Sequence, residues 1–597
     1  MKDLIGLVYT KNVTYSVIVS AEGQQNIAVV VDQKHYFLNV ASASSILYTG
    51  AAPAATQGYH YAKFNSDNMI ESEAFSRAPV QEDTPNEFYN RTWNRVTPVR
   101  LPVLLPPLSA MHRIPSSPHQ KDEIVTLHFE ADQNQIDLLH QNATTNQVKM
   151  SCNMTRITLD GWQTFTDVTL KLGGRSSRWS LKLAYDFKLA KHQDLAGYRD
   201  FKLRSLVTDS SYMRENFIYD VIQSAGLPST EFSYVRIFMN NKPYGLYGLV
   251  ETYKAPWLRN VFQGKTRGKF KRGILYQGMG FSNSTKLTSD LDFRGNHGKL
   301  YGDGTYKIKV KPRHGHHATF TRLMKLTRFL AHAPNEGTKV IKQWEKHLNT
   351  QSVIRNMALE IALGFSDGYI ADVDNYYLYH DRRNKQFVYL PSDTDISMGS
   401  SIMNISNMWD GDYHHYPGMT LRRPLFQKML AVPEFKEAFE ALLIKICKTT
   451  FDPQVVDPYI DGLTNMIRED VAWDKQLPRS GFNLWAVMLN QVRHAPRNAI
   501  PPPIDYETFV DFAARMIFEN VSLDQAIQGP TKHISLTGVK EWIYRQRIAT
   551  LKHLDPSYLS EEEGTGSFWV YLLIKRAIQY SFSFASTLSL STTTTRT

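Results

Sequence analysis

Acidic and amide side chains crowd into one stretch of this chain, GFSDGYIADVDNYYLYHDRRNKQFVYLPSDTDISMGS at 364–400. Asp367, Asp372, Asp374 and Asn375 precede one β-prone run, Tyr376–Tyr379, and Asp393 and Asp395 follow a second, Gln386–Leu390. A hairpin brings its open ends together, so these side chains can converge on one point. A small set of carboxylate-rich oxygen ligands suits a hard cation such as Mg²⁺, which keeps waters and is completed by phosphate oxygens. Asp and Asn also favour turns for conformational reasons alone, so a plain turn is the other reading of the same residues.

Other signatures narrow the chemistry. Gly264-Lys265-Thr266 has no Gly five residues earlier, so the chain has no P-loop. It has no His-Arg-Asp or Asp-Phe-Gly, which excludes an ordinary protein kinase. Residues 254–273 (KAPWLRNVFQGKTRGKFKRG) hold seven basic residues and two Phe, followed by KIKVKPRHGHH. Basic residues interleaved with aromatics are a nucleic-acid footprint. No nucleic-acid fold motif accompanies them, so no nucleic-acid partner is expected, and the stretch reads as a solvated insertion whose positive charge would attract an acidic partner. His314, His316 and His317, and His414 and His415 in GDYHHYPGM, read as surface-loop histidines.

The elements that must position the acids follow from periodicity. Val353, Ile354, Met357 and Ile361 mark a helix face just before the acidic stretch. Asp209-Ser210-Ser211 offer an N-cap to a helix with Met213, Phe217, Val221 and Ile222 on one face, stopped by Gly226 and Pro228. SYVRIFM and LYGLVE, joined by Asn240-Asn241-Lys242-Pro243-Tyr244-Gly245, predict a hairpin. From residue 4 to about 60, Val, Ile and Tyr runs broken every eight to twelve residues predict a small antiparallel β domain. Pro98, Pro102, Pro106, Pro107, Pro115 and Pro118 deny helix and central strand and predict an extended connector. Strands dominate 123–190, helices dominate 318–551, and Phe435, Phe439, Leu442, Leu443 and Ile446 read as a buried stripe. The expected fold class is α+β: an N-terminal β-sandwich-like domain over 1–96, a proline-rich linker over 97–122, a two-lobed domain over 123–555 and a low-complexity tail over 556–597.

Composition agrees with a large folded protein. The 597 residues are 42% apolar and 12% aromatic, with a formal charge of +11 that suits an anionic partner. Cys152 and Cys447 exclude a cysteine zinc cluster and a disulfide-dense scaffold, leaving room for one long-range bridge. Residues 1–20 lack the unbroken apolar core of a secretory signal, and Phe568–Ile574 is far shorter than the roughly 20 residues of a spanning helix, so no transmembrane segment is expected. Seven Asn-X-Ser/Thr sequons, at Asn12, Asn90, Asn142, Asn153, Asn283, Asn404 and Asn520, are compatible with a secreted glycoprotein.

The chain resembles the spore coat protein H (CotH) family of atypical protein kinases over roughly residues 90–485. The resemblance rests on NEFYNR at 86–91, DFKLRSLVTDSSYMRENFIYDVIQSAG at 200–226, FMNNKPYGLYGLVE at 238–251, SDGY at 366–369, LPSDTDISMG at 390–399 and VAWD at 471–474. It is stronger toward the branch found on the surface of mucoralean fungi. The resemblance implies a β-rich first lobe and a helical second lobe, ATP and Mg²⁺ as cofactors, and Ser/Thr-containing proteins as substrates. It implies that Asp367 orients the nucleophile or acts as acid/base, and that Asn375, Asp393 and Asp395 take Mg²⁺. Asp367 and Asn375 stand eight apart, as in fungal members, against five in bacterial ones. Arg178, Ser180 and Lys182 match the family's basic-X-Ser motif, with Arg178 in place of a commoner Lys. Glu251 matches an acid that holds a cation or the basic residue, and Lys202 and Arg214 match polar positions near the helix start.

Two functions are expected from this reading. One is an ATP- and Mg²⁺-dependent kinase acting on secreted, coat or surface proteins. The other is a cell-surface invasin that engages a host-cell receptor, a role tied in the family to the region corresponding here to about Ile370–Lys385. Both place the protein outside the cell or on the cell or spore surface.

Overall fold

The computed structural model describes residues 11–558, apart from residues 22, 24, 145–147, 265–269, 283, 313–318, 498–499 and 519. The apolar runs at 4–9 and 568–574, Asn283, His314, His316, His317 and the Ser/Thr-rich tail lie outside the described residues. The described chain is mixed α+β. No helix in it is long and apolar enough to cross a membrane.

The first strands form two four-stranded sheets. One runs in the order Asn39–Val40, Leu47–Pro53, Asn12–Ile18, Asn86–Phe88, and the other Lys34–Phe37, Gln25–Val31, Tyr59–Asn65, Asn68–Ser72. Val13, Tyr15 and Val17 of the first meet Ile27, Val29 and Tyr61 of the second in a shared core, while Ala28, Val30, Ala62 and Phe64 are buried on the opposite face of the second. Strand formation continues beyond residue 60, and NEFYNR supplies the last strand, parallel to Asn12–Ile18. Phe88 then packs on Phe238 and Trp473, and Arg91 and Arg236 both reach Asp470.

The next strands close into a barrel in the order Lys149–Thr158, Gly161–Leu172, Tyr185–Lys188, Asp200–Arg204, Lys242–Glu251, Ser233–Met239, Val125–Glu130. Cys152, on this barrel, and Cys447, on helix Pro433–Lys448, are both buried free thiols, so the one bridge the sequence allowed is not made. A further sheet, Tyr306–Val310, Ile274–Gly278, Tyr376–His380, Phe387–Pro391, carries the acidic hairpin. Helices dominate from Thr321 to Leu554, and Phe435, Phe439, Leu442, Leu443 and Ile446 are buried on helix Pro433–Lys448.

Two expectations change on folding. Helix Arg214–Ser224 begins at Met213, which makes no side-chain cap. The Asp209 carboxylate instead reaches forward to the Arg214 N–H at 2.8 Å and does a cap's work from outside the helix. The helix ends in a Schellman turn, with Leu227 N–H on Ile222 O and Gly226 N–H on Gln223 O, and Gly226 at φ +68°.

The proline-rich stretch is free of helix and strand as expected, but it is a packed strap. Leu104, Leu108 and Ala110 are buried, and the strap's N–H groups at Leu104, Leu108, His112 and Ile114 donate to Ser224, Gly226, Val261 and Asn260. Prolines cannot enter the barrel ladder, so the strap is held by these scattered bonds. A Cβ on Gly226 would run into the Pro106 carbonyl. Gly226→Ala is therefore expected to cost about 2–3 kcal/mol in denaturant unfolding, from the left-handed backbone and the displaced strap together.

Candidate active site

Helix Thr350–Ala362 ends at Gly364, which turns in the left-handed region at φ +61° against the Trp542 ring. The chain then runs through Ser366, Asp367 and Gly368 into the single turn Tyr369–Asp372 and reaches strand Tyr376–His380 through Val373 and Asn375, both at φ 52°. Asp393 leaves the second hairpin strand at φ 54°. Asn and Asp are among the few side chains that tolerate this region. Ser392 N–H donates to Asn375 O at 3.0 Å and ties the two strand ends together. The Asn375 amide donates to Asp367 Oδ2 at 2.6 Å. The eight-residue spacing thus closes into one hydrogen-bonded pair.

The barrel supplies the opposing charge. Strand Asp200–Arg204 presents Lys202 and Arg204 on one face because they are two apart. Lys202 Nζ lies 3.2 Å from Asp393 Oδ2. Arg204 is buried and forks across three carboxylates: Asp393 Oδ1, Asp395 Oδ1 at 2.9 Å and Glu215 Oε2 at 2.7 Å. Thr208 donates to the other Asp395 oxygen at 2.7 Å, and Arg175 pairs with Asp374 at 2.6 Å.

The electrostatics separate the acids. Burial pushes Asp367 well above the usual carboxylate range, and Asp395, Asp393, Asp374 and Asp372 push it further. Burial and Asp374 raise Asp372 to about 7. Asp393 goes the other way: burial would raise it, but Arg204 and Lys202 outweigh burial and hold it well below its ordinary value. Asp393 is firmly ionised while Asp367 and Asp372 resist ionisation.

Other residues singled out in the sequence sit elsewhere. Arg178 donates from Nε and Nη2 to Gly174 O at 2.9 and 2.6 Å and braces its own turn. Ser180 is buried and accepts from Trp485 Nε1 at 3.1 Å. Lys182 is buried, 2.7 Å from Asp474 Oδ1 and 2.6 Å from Leu246 O. Arg214 is fully buried, on Asp209 at 2.5 Å and Thr537 O at 2.6 Å, where it ties the helix start to the C-terminal helices. Glu251 pairs with His119 of the strap at 3.2 Å and accepts Glu231 N–H at 2.8 Å. Burial opposes its ionisation, but His119, Arg113 and Thr230 together outweigh burial and bring Glu251 down to about 2.

The structure therefore brings Asp367, Asn375, Asp393, Asp395 and Lys202 together, and sets Arg178, Ser180, Lys182, Arg214 and Glu251 on structural partners. It adds Arg204, Arg175 and Glu215, for which the one available signal was the two-residue spacing of Lys202 and Arg204. Trp473 of VAWD packs on Phe88 with ring centroids 5.5 Å apart. His414 and His415 are exposed on Asp412 and Asp410, each at 2.6 Å. The basic stretch is not a solvated insertion as far as it is described: helix Ala255–Phe262 buries Trp257, Leu258, Val261 and Phe262.

The acid group offers oxygen donors to a divalent cation only as part of a shared site. Among the described residues no three His, Cys, Asp or Glu side chains stand ready to hold a metal alone. The reason is local, since Lys202 and Arg204 already stand on both Asp393 oxygens. The crowding that raises Asp367 is nonetheless negative charge that added positive charge would relieve. A cation held by Asp393 and Asn375, with Asp395 near, and otherwise by water or phosphate oxygens, is the Mg²⁺ pattern.

Positive charge also lines the rim. Lys309, on strand Tyr306–Val310, lies with Nζ 6.0 Å from the Tyr377 ring centroid. Burial, Lys254 and Lys307 push it down from 10.5 to about 8. Between those values the unfolded chain holds more protons, so this group makes stability rise with pH there and charges a penalty below about 8. Lys309→Met is expected to stabilise at pH 7 by about 1–2 kcal/mol, allowing for solvent screening, with the gain gone above pH ~10.5; thermal melts across pH read this.

With the geometry in place, comparison with known proteins is decisive. The family model described as CotH kinase protein matches residues 170–477, from the barrel through the acidic hairpin to VAWD. The chain belongs to the CotH family. Invasin CotH3 of Rhizopus delemar is 22% identical over 488 residues, covering 79% of this CotH chain and 77% of the relative. Spore coat protein homolog 1 of the same fungus is 23% identical over 454 residues, covering 74% and 70%. Inner spore coat protein H of Bacillus subtilis is 23% identical over 310 residues, covering 52% and 78%. Coverage by the fungal relatives extends well beyond the family match, whereas the bacterial one covers a shorter part of this CotH chain.

Proposed function

We propose that this chain is an atypical protein kinase of the spore coat protein H type, which transfers the γ-phosphate of ATP to Ser or Thr of secreted, coat or surface proteins with Mg²⁺. The observation that carries the reading is the meeting of the Asp367–Asn375 pair with Asp393, Asp395, Lys202 and Arg204 between barrel and hairpin. In this reading the barrel is the first lobe and the later helices the second. The N-terminal sheets are a β-sandwich-like domain over 1–96, joined by 97–122 to a kinase-like domain over 123–555, with the tail at 556–597. The separate shared core of the N-terminal sheets supports that division.

Phosphoryl transfer spreads negative charge over the phosphate oxygens, so the protein must supply cations and orient the attacking hydroxyl. Asp367, with its Oδ2 held by Asn375, is placed to take the proton of the acceptor hydroxyl. In this reading Lys202 and Arg175, now on Asp393 and Asp374, also serve the phosphate oxygens. Arg204, anchored by Glu215 at the start of helix Arg214–Ser224, corresponds to the strand–helix cation–acid pair of ordinary kinases. Asp393 and Asn375 would hold Mg²⁺, which when bound neutralises the transferring group.

Incubation of the purified chain with labelled ATP and Mg²⁺, beside Asp393→Ala, tests the reading. Label on itself or on a Ser-rich substrate is expected from the native chain and not from the variant or with chelator. Because Asp393 is already held by cations, Mg²⁺ is expected to bind at least about tenfold more tightly with ATP than alone, measurable by calorimetry. A native chain that neither binds nucleotide nor transfers label ends the kinase reading.

A second reading, an invasin or adhesin that engages a host-cell receptor, draws on relatives named invasins. It needs no turnover. Within 370–385 most side chains are buried and exposure is confined to the tip 383–385, which limits what a receptor could touch there. Host-cell binding that persists in Asp393→Ala and is lost on replacing that tip would favour it. Both readings place the chain on the cell or spore surface or outside the cell.

A further inference from the structure

Two buried side chains outside the acid group hold the loop that carries Asp367. Glu360, on helix Thr350–Ala362, is 2% exposed, and its carboxylate accepts the Ile370 N–H at 2.5 Å and faces the N–H groups of Tyr369 and Ala371. A Cβ on Gly368 would collide with that carboxylate, so the glycine beside Asp367 is what lets Glu360 approach. From the other end Arg423, 4% exposed, donates Nε to Ile370 O at 2.7 Å and Nη2 to Ala371 O at 2.8 Å.

The turn Tyr369–Asp372 makes only two helical bonds of its own, Asp372 N–H to Gly368 O and Val373 N–H to Tyr369 O, and leaves its first N–H groups and the Ile370 and Ala371 carbonyls to other partners. Glu360 takes the donors and Arg423 the acceptors. Simple packing would be met more cheaply by apolar side chains, because a buried carboxylate and a buried guanidinium both carry desolvation costs. What they fix is backbone, and that backbone joins Asp367 to Asn375.

We propose that Glu360 and Arg423 are positioning residues for phosphate transfer, which pin the 369–371 turn from both sides and thereby set Asp367 against Asn375. The inference rests on the catalytic reading of Asp367. Asp367 and Asn375 meet at 2.6 Å only because the loop between them folds back. Freeing the turn lets its ends drift, and a shift near 1 Å in a reacting group can cost about 10²-fold in rate.

The test uses the full chain with Glu360→Gln, Arg423→Lys and both together, measuring kcat, KM for ATP, melting temperature and Mn²⁺ affinity. Glutamine keeps the shape of Glu360 but offers one acceptor oxygen to three converging N–H groups; lysine cannot reach both carbonyls. Each single variant is expected to lose about 30- to 100-fold in kcat, with KM for ATP within about threefold. The double variant should fall less than about threefold below the worse single one, because both act on one turn. Mn²⁺ affinity should weaken by about tenfold. The proposal is overturned if kcat stays within about threefold of native in both single variants, or if the loss tracks only the unfolded fraction or a rise in KM. If one variant does not fold, the other decides by the same criteria. If the native chain neither binds nucleotide nor transfers phosphate, the kinase reading has failed separately. Mn²⁺ affinity then decides the positioning claim: a weakening in Glu360→Gln supports it and no change ends it.

Discussion

Replacing Asp367 by Asn is expected to reduce phosphate transfer by about 10²–10⁴-fold, the usual contribution of a positioned proton acceptor, while raising the stability of the protein. The two effects have opposite signs for one reason. Burial and the neighbouring acids Asp395, Asp393, Asp374 and Asp372 lift this carboxyl well above its ordinary range. The folded state therefore binds its proton more tightly than the unfolded one, and as pH rises above the ordinary carboxylate range this group subtracts stability. Asparagine carries no charge to desolvate, so unfolding at neutral pH should move to higher denaturant and the pH slope should flatten. Single-turnover transfer from labelled ATP and urea melts at pH 5 and 7.5 check both halves. A variant that loses activity together with stability would show that Asp367 is a structural acid, and retained activity would remove it from the chemistry.

Arg204→Met is expected to be among the most damaging single changes, at about 3–5 kcal/mol, because it breaks a buried ion group by removing one side of it. Its guanidinium is shared by Asp393, Asp395 and Glu215. Burial alone would weaken its charge, but Asp393, Glu215 and Asp395 outweigh burial and hold it firmly protonated. Without it, those carboxylates face one another with only Lys202 and Arg175 as cations near. Asp393, now depressed, stabilises the fold above the ordinary carboxylate range and loses that contribution as pH falls through it. In the variant that contribution should shrink or reverse, so the deficit should be larger at pH 7.5 than at pH 4. Urea unfolding at both pH values measures it. A cost under about 1 kcal/mol would mean that water reaches the group and the fork carries little.

The parts legible from sequence are those whose determinants are local. The hairpin Tyr376–His380 with Phe387–Pro391, helix Thr350–Ala362 and helix Pro433–Lys448 follow from spacing alone, because burying one face imposes a period of 2 or 3.6. The convergence of Asp367, Asn375 and Asp393 was implied by a hairpin's open end. Barrel closure was not legible. It requires Val125–Glu130 to pair in parallel with Ser233–Met239, about a hundred residues later, and no local pattern encodes a partner that distant.

Charged residues divide the same way. The resemblance matched Lys182, Arg178 and Glu251 to family motif positions. Their partners come from elsewhere in the chain: Lys182 meets Asp474 of VAWD, and Glu251 meets His119 of the strap, each pair joined only when distant segments pack. Arg204 lies two residues from Lys202, but an alternate-residue pair shows a shared face and not what that face meets.

By itself the sequence determined the α+β class, the acidic hairpin, the family and the group of acidic and amide side chains, because periodicity, turn chemistry and motif order are short-range properties. Only the tertiary structure decided which cation faces which acid and which acids resist ionisation. A side chain's charge state depends on burial and on neighbours a few ångströms away, and those neighbours come from barrel, hairpin and strap together.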